Sequence, residues 1–408
     1  MRVLHLSDVH IGVENYGRPA AQSDLDALPS SFAPGMDRGQ YLGASTRLLD
    51  FLATLDEAVE HALNNDVGLV LFAGDAYKAH DPSQTHQREF ARRIARMAQS
   101  GIAVFITVGN HALPHVANRA TAVDIFPTVQ VANVTVGDTL KTHRVRTRAG
   151  DVQVVALPWV RIGSFMARDE TRNLTMEQIT REVEGRLTGL LQAEVEELDP
   201  SLPALLCGHV TVSGAVTPSE RSMMLGTDHV LGLGTLADPA FDYVAMGHVH
   251  KHQVLSQHPP VVYPGSLQRI DFSEEKDTKG FCIFELDPAK PLGERVDGFR
   301  FQPVAARPML TVNVRVRQAE DPTEAALAAI GWHGGDGLEG AIVRVRVEMS
   351  AEMEPACPRG GGAPGLGPSP LRRRHRAAGP ARGANPPGRG GRGVTDAHSS
   401  GAALPGVA

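Results

Sequence analysis

Short, unbroken apolar runs punctuate this chain. Val67 to Ala73 and Ile102 to Val108 are the clearest, and runs of this kind belong to strands buried on both faces. Read in the same way, strands are predicted at 2–6, 67–73, 102–108, 152–157, 203–207, 241–246, 260–263 and 281–286. Between them the period lengthens. Leu48, Leu52, Leu55, Val59 and Leu63 recur at steps of three and four, the apolar stripe of a helix. Residues 84–99 and 174–198 read as further helices with mixed-charge outer faces. Strands alternating with helices predict an α/β domain. Residues 12–40, rich in Gly, Pro, Ser and Asp, read as a long loop beside the first strand.

Around Pro303 to Pro308 the pattern changes. Leu310, Val312, Val314 and Val316 alternate as in a half-buried strand, and a short helix at 322–330 and a second alternating strand at 341–347 follow. This predicts a domain at 1–304 and the beginning of a smaller α+β domain at 305–354. Residues 355–408 carry no pattern: Gly, Pro, Ala and Arg fill 40 of 54 positions. Such a segment cannot build a core and is predicted to be disordered. It reads either as a native basic linker, with Arg372 to Arg376 as a nucleic-acid patch, or as the frameshifted product of a GC-rich gene. The second reading is preferred, and resequencing the gene would decide it.

Composition narrows the setting. A hydrophobic content of 42% with 21% charged residues is ordinary for a soluble globular protein. The net charge of −6 divides unevenly, +7 on residues 355–408 and −13 on residues 1–354. An acidic body is not that of a free-standing nucleic-acid binder, so a local basic groove or a partner would have to supply affinity for DNA. Cys207, Cys282 and Cys357 lie far apart, without metal-site or redox spacing. Met1-Arg2 runs straight into a strand and leaves no room for a signal peptide, and no apolar run has the length of a membrane span. A cytoplasmic location is expected.

The chemistry lies in five motifs, each ending a predicted strand: Asp8-Val9-His10, Gly74-Asp75, Gly109-Asn110-His111, Gly208-His209 and Gly247-His248-Val249-His250. They gather oxygen and nitrogen donors without thiolate, a set suited to Mn²⁺, Fe²⁺ or Zn²⁺. Residues i and i+2 of a strand share a face, so Asp8 can converge with His10, and His248 with His250. Eight such side chains exceed one ion's needs and suit two ions sharing a carboxylate, an arrangement for attack on a phosphate ester. The glycines at 74, 109, 208 and 247 would bring backbone close to the ions. Alone, each motif is a turn or a core histidine; only their joint occurrence points to a metal site.

The series DxH, GD, GNH, GH and GHxH resembles the calcineurin-like metallophosphoesterase superfamily. The resemblance implies a two-sheet β-sandwich flanked by helices. One ion would be held by Asp8, His10, Asp75 and His250. Asp75 would bridge to a second ion held with Asn110, His209 and His248, and His111 would be left free to assist catalysis. Tyr263 to Lys276, with Lys279-Gly280-Phe281, is similar to the segment after the last histidine motif in the nuclease family of bacterial SbcCD complexes. Leu4 to Gly12, Gly74 to Ser83 and Leu157-Pro158-Trp159 agree, and the likeness covers about residues 1–350.

That family implies a homodimeric, Mn²⁺-dependent DNA nuclease, a 3′→5′ exonuclease and single-strand endonuclease, partnered by an SbcC-type SMC-like ATPase. Two departures stand out. Lys78 occupies a position that is His in archaeal and eukaryotic relatives, and the Gly/Pro/Arg tail replaces the helices that dock the ATPase. Alternatives are a small-molecule or cyclic-nucleotide phosphodiesterase of the same superfamily and a metal-free scaffold.

The remaining residues read more plainly. Lys78 and Arg269 are weak candidates for DNA phosphates, with a salt bridge from Arg269 to Asp271 or Glu274 as the plainer expectation. His5 reads as structural, His80, His86 and His115 as loop surface, and Trp159 as a packing residue.

Overall fold

The computed structural model describes residues 1–113, 120–161, 172–217, 230–316, 321–332, 338 and 340–349. All belong to one unit, Met1–Leu371. His115 and the expected disordered tail lie outside the described residues. Strands β1 (Arg2–Leu6), β2 (Val67–Phe72), β3 (Ala103–Thr107) and β4 (Val134–Gly137) pair in parallel. β5 (Lys141–Thr147), β6 (Gly150–Leu157) and β7 (Ala204–His209) open a second sheet. After the two-residue strands β8 (Thr211–Val212) and β9 (Val230–Leu231), it is completed by β10 (Tyr243–Gly247), β11 (Gln253–Gln257) and β12 (Pro260–Tyr263). The chain returns to the first sheet with β13 (Gly280–Leu286) and β14 (Val296–Pro303). It goes on to a parallel pair, β15 (Met309–Arg315) and β16 (Ile342–Glu348), joined through the helix Pro322–Trp332.

The sheet orders are β14-β13-β1-β2-β3-β4 and β11-β12-β10-β7-β6-β5. In the second sheet β6, β7, β10 and β12 are parallel, while β5 and β11 flank them antiparallel. Alternation along each strand assigns its side chains to different cores. On β2, Leu69 and Leu71 join the cluster between the sheets, whereas Val70 and Phe72 join the cluster under the helices Thr46–Asn64 and Gln84–Gln99. On β7, Leu205 and Cys207 face the first sheet and Leu206 faces the helix Met176–Glu196. Strands covered on both faces must be apolar throughout, hence the unbroken runs. Each such aliphatic or aromatic side chain contributes about 1.5–3 kcal/mol.

The architecture is the helix-flanked two-sheet α/β fold expected from sequence. Two local readings change. The loop at 12–40 contains the short helix Gln22–Asp26 and a 3₁₀ turn at Arg38–Tyr41. The helix Gln84–Gln99 does not keep all its charges outside. Arg93 and Glu89 are buried, with Arg93 paired to Asp56 at 2.6 Å and Glu89 at 3.0 Å, tying this helix to Thr46–Asn64.

Candidate metal centre

Six parallel strands of the two sheets, β1, β2, β3, β7, β10 and β12, deliver the chain to one edge of the sandwich at their carboxyl ends, where open α/β sheets place their sites. Backbone bonds tie the emerging loops together. Asp8 N–H donates to Gly74 O at 3.1 Å and His10 N–H to Asp75 O at 3.0 Å. His248 N–H donates to the Asp8 carboxylate at 3.0 Å, joining the two sheets. The glycines make room: a Cβ at Gly109 would stand 2.2 Å from Asp75 Oδ1, and one at Gly247 would stand 1.8 Å from Ala73 O. Gly208 is less constrained, its nearest contacts being Leu206 and Met246 side-chain tips at 3.1–3.3 Å.

The seven ligand candidates come together. Donor atoms of Asp8, His10 and His250 lie within 4.8 Å of one another, as do those of Asp8, Asp75 and His209, and of His10, Asp75 and His111. Asn110 Oδ1 completes the second group, 3.0 Å from His209 Nε2 and 3.3 Å from His248 Nδ1. Asp75 Oδ2 lies 3.2 Å from His209 Nε2 and 3.8 Å from His10 Nε2, so this carboxylate reaches both groups.

Tautomers follow from the partners. The carbonyl of Ala73 accepts from His209 Nδ1 at 2.7 Å and that of Lys78 from His111 Nδ1 at 2.9 Å. A carbonyl can only accept, so these rings carry their proton on Nδ1 and turn Nε2 toward the cluster.

Three observations fit this pocket to divalent cations. His10 Nε2 and His250 Nε2 face each other at 3.1 Å, and an ion between two ring nitrogens is a better neighbour than a second lone pair. Asp8 and Asp75 are buried with only imidazoles as charged partners among the described residues. Finally, Asp8, His10, Asp75 and His248 hold positive φ angles of 54, 49, 55 and 96°. Such backbone costs roughly 1–3 kcal/mol per residue and gathers at functional sites.

The electrostatics agree. Burial opposes charge on Asp8, yet the imidazoles of His10, His209 and His250 hold its carboxyl down at about 2. Asp75, likewise buried, is held well below the ordinary range by His209 and His111. Burial alone would lower His209, but the adjacent Asp75 raises it to about 9. Burial dominates at His111, lowered to about 4 against the pull of Asp75, and at His10, also lowered.

Other residues fall where tertiary structure alone decides. Arg269 makes no ion pair with Asp271 or Glu274 among the described residues. Its guanidinium donates to the carbonyls of Asp277 at 2.7 Å, Arg307 at 3.1 Å and Ala306 at 3.2 Å, which corrects the salt-bridge expectation. Lys78 is half-buried and offers its carbonyl to His111. His5 is fully buried against the Tyr243 hydroxyl at 3.1 Å, and His86, expected on loop surface, lies half-buried in the first turn of the helix Gln84–Gln99, 3.5 Å from Glu14. Trp159 is buried and packs on His248, ring centroids 4.9 Å apart, so it supports a ligand candidate. Two neighbours escaped the sequence reading: Ser7, whose hydroxyl donates to Asp8 Oδ2 at 2.5 Å, and Glu274, 2.8 Å from His250 Nδ1. Glu274 falls within the distinctive Tyr263–Lys276 segment, but no spacing rule links it to His250.

Residues 1–252 match the family described as Calcineurin-like phosphoesterase. The chain is 27% identical over 307 residues to the SbcD subunit of the nuclease SbcCD from Rhodobacter capsulatus, covering 70% of this chain and 66% of that one. Against the protein of the same name in Escherichia coli K12 it is 22% identical over 280 residues, covering 67% and 62%. The chain therefore spans about two thirds of the length of these relatives. A dimetal phosphatase from Danio rerio overlaps 70% of this chain and 92% of its own at 10% identity and a TM-score of 0.35, too loose a superposition to bear on the site.

Proposed function

This chain belongs to the calcineurin-like phosphoesterase family and is a hydrolase of phosphoester bonds, and from that premise we propose that it is a two-metal DNA nuclease of the SbcD type. The observation that carries the two-metal part of the proposal is the convergence of Asp8, His10, Asp75, Asn110, His209, His248 and His250 at one edge of the sandwich. Asp8, His10 and His250 would hold one ion, Asn110, His209 and His248 the other, with Asp75 between them. The oxygen and nitrogen donor set admits Mn²⁺, Fe²⁺ or Zn²⁺, and Mn²⁺ is preferred on the likeness to the SbcCD nucleases. When bound, two such ions supply Lewis-acid polarisation of the phosphate and a water acidified enough to attack it.

The protein groups do the rest. Asp75 takes a backbone hydrogen bond from His111 N–H at 3.0 Å, which fixes the carboxylate that would lie between the ions. His111, anchored through Nδ1, keeps Nε2 for the substrate, where it stabilises the phosphoryl oxygens or passes a proton to the leaving oxygen. The fold and metal cluster alone would equally serve a small phosphodiester. DNA is preferred because of the Tyr263–Phe281 segment and the names of the relatives. On the same grounds the chain acts in DNA end processing, as 3′→5′ exonuclease and single-strand endonuclease, in a cytoplasmic homodimer. Among the described residues no helix is long and apolar enough to cross a membrane. An SbcC-type ATPase is the expected class of partner, and a pull-down tests it.

The test is Mn²⁺-dependent cleavage of linear duplex DNA beside bis-p-nitrophenyl phosphate. Degradation of both supports the nuclease. Hydrolysis of the ester alone points to a small-molecule phosphodiesterase, and activity on neither contradicts the enzyme reading.

A further inference from the structure

His250 differs from the other pinned imidazoles of the centre in what grips it. His111 and His209 are held through Nδ1 by neutral backbone carbonyls, whereas His250 Nδ1 meets a carboxylate, Glu274 Oε1, at 2.8 Å. Glu274 is fully buried, on a 3₁₀ turn at Phe272–Glu274. Its other oxygen, Oε2, is taken up by Lys279 Nζ at 2.7 Å, Ile270 N–H at 3.1 Å and Ser266 Oγ at 3.4 Å. Lys279 is itself buried and also donates to Ser266 Oγ at 2.9 Å and to the carbonyl of His250 at 3.0 Å. The network thus holds both the ring and the backbone of His250. It leaves Nε2 aimed at His10 Nε2, 3.1 Å away.

A carboxylate on one ring nitrogen fixes the tautomer and strengthens the other nitrogen as a donor. We infer that Glu274, set in place by Lys279, is a positioning residue for His250 that selectively tightens the ion shared by Asp8, His10 and His250. This rests on the two-metal reading proposed above. The ion shared by Asn110, His209 and His248 has no such carboxylate behind its histidine His209, and it should be insensitive to Glu274.

The experiment measures Mn²⁺ affinity by chelator competition on the full chain, in wild type, Glu274→Gln and the pair Glu274→Gln with Lys279→Met. The pair guards against misfolding, because Glu274→Gln alone leaves the buried Lys279 ammonium only the more distant Asp277 carboxylate, at 3.9 Å; its fold is checked by near-ultraviolet circular dichroism. The expected result is a loss of about 10–100-fold at one site, with the other within about threefold of wild type. In a His250→Ala background, where that site has already lost a ligand, the pair should cost little more, since its effect runs through His250. Unchanged affinity at both sites, equal weakening of both, or a fully additive His250→Ala effect would overturn the inference. A wild-type chain binding fewer than two ions would overturn the reading beneath it instead.

Discussion

His5 and His209 are both fully buried imidazoles, and their surroundings pull them in opposite directions. His209 sits against Asp75 and is raised to about 9, whereas burial lowers His5 from 6.5 to about 3. For His5 the sign follows from linkage. Protonation favours the unfolded chain, so its contribution is fully present above about pH 6.5 and is lost as the pH falls toward 3. Between pH 7 and pH 4.5 that loss is about 2–3 kcal/mol. His5→Gln should remove this part of the acid sensitivity, and urea unfolding at the two pH values checks it; an unchanged pH dependence would contradict the assignment. His111→Ala should lower DNA cleavage by about 10²–10⁴-fold while Mn²⁺ content stays at the wild-type level. Loss of the metal instead would make His111 a ligand. At this scale the sequence was readable where chemistry follows spacing, as for Asp8 with His10 and His248 with His250. It was unreadable for Arg269 and Glu274, and for the partner though not the packing role of Trp159, because partners distant along the chain, such as Glu274 for His250 and Trp159 for His248, are fixed only by folding.

The elements show the same division in a different form. All eight strands expected in the first 304 residues are present, and each lies inside a sheet, where cover on both faces demands an apolar run. The strands absent from the sequence reading include β4, β5, β11 and β14, which are the four sheet edges. Their exposed faces admit polar residues, as in Lys141–Thr147 and Val296–Pro303, and the hydrophobic signal fades. Stability should follow that distinction. Phe284→Ala on β13, fully buried and stacked 4.1 Å from Tyr243 across the sandwich, should cost about 3–5 kcal/mol. Val254→Ala on the edge strand β11 should cost far less, and equal costs in urea unfolding would refute the contrast. Loop ends carry the chemistry, so Gly109→Ala, whose Cβ would stand 2.2 Å from Asp75 Oδ1 and 2.6 Å from the Asp75 backbone nitrogen, should displace this loop and impair metal binding. Circular dichroism with metal analysis distinguishes this from global unfolding.

Across the whole molecule, the segment from Tyr263 to Phe281 is a junction. Glu274 holds His250, and Glu275 accepts from Thr311 N–H at 2.9 Å and Thr311 Oγ1 at 2.6 Å on β15. Phe272 lies 4.1 Å beneath the Arg344 guanidinium of β16, and Arg269 clamps the carbonyls of Ala306 and Arg307 on the approach to β15. One stretch therefore touches the metal centre, the small βαβ unit and the connection between them, which gives its distinctive composition a physical content that pattern alone did not disclose. The centre itself gathers side chains from positions 8 to 250 into one pocket. Metal content is the most direct measure of that claim. The full chain, stripped with a chelator, dialysed against Mn²⁺ and analysed by mass spectrometry, should hold two ions per chain, and Asp75→Asn, which removes charge from the carboxylate between them, should hold one or none. One ion or none in the wild type, or two undiminished ions in Asp75→Asn, would contradict the account.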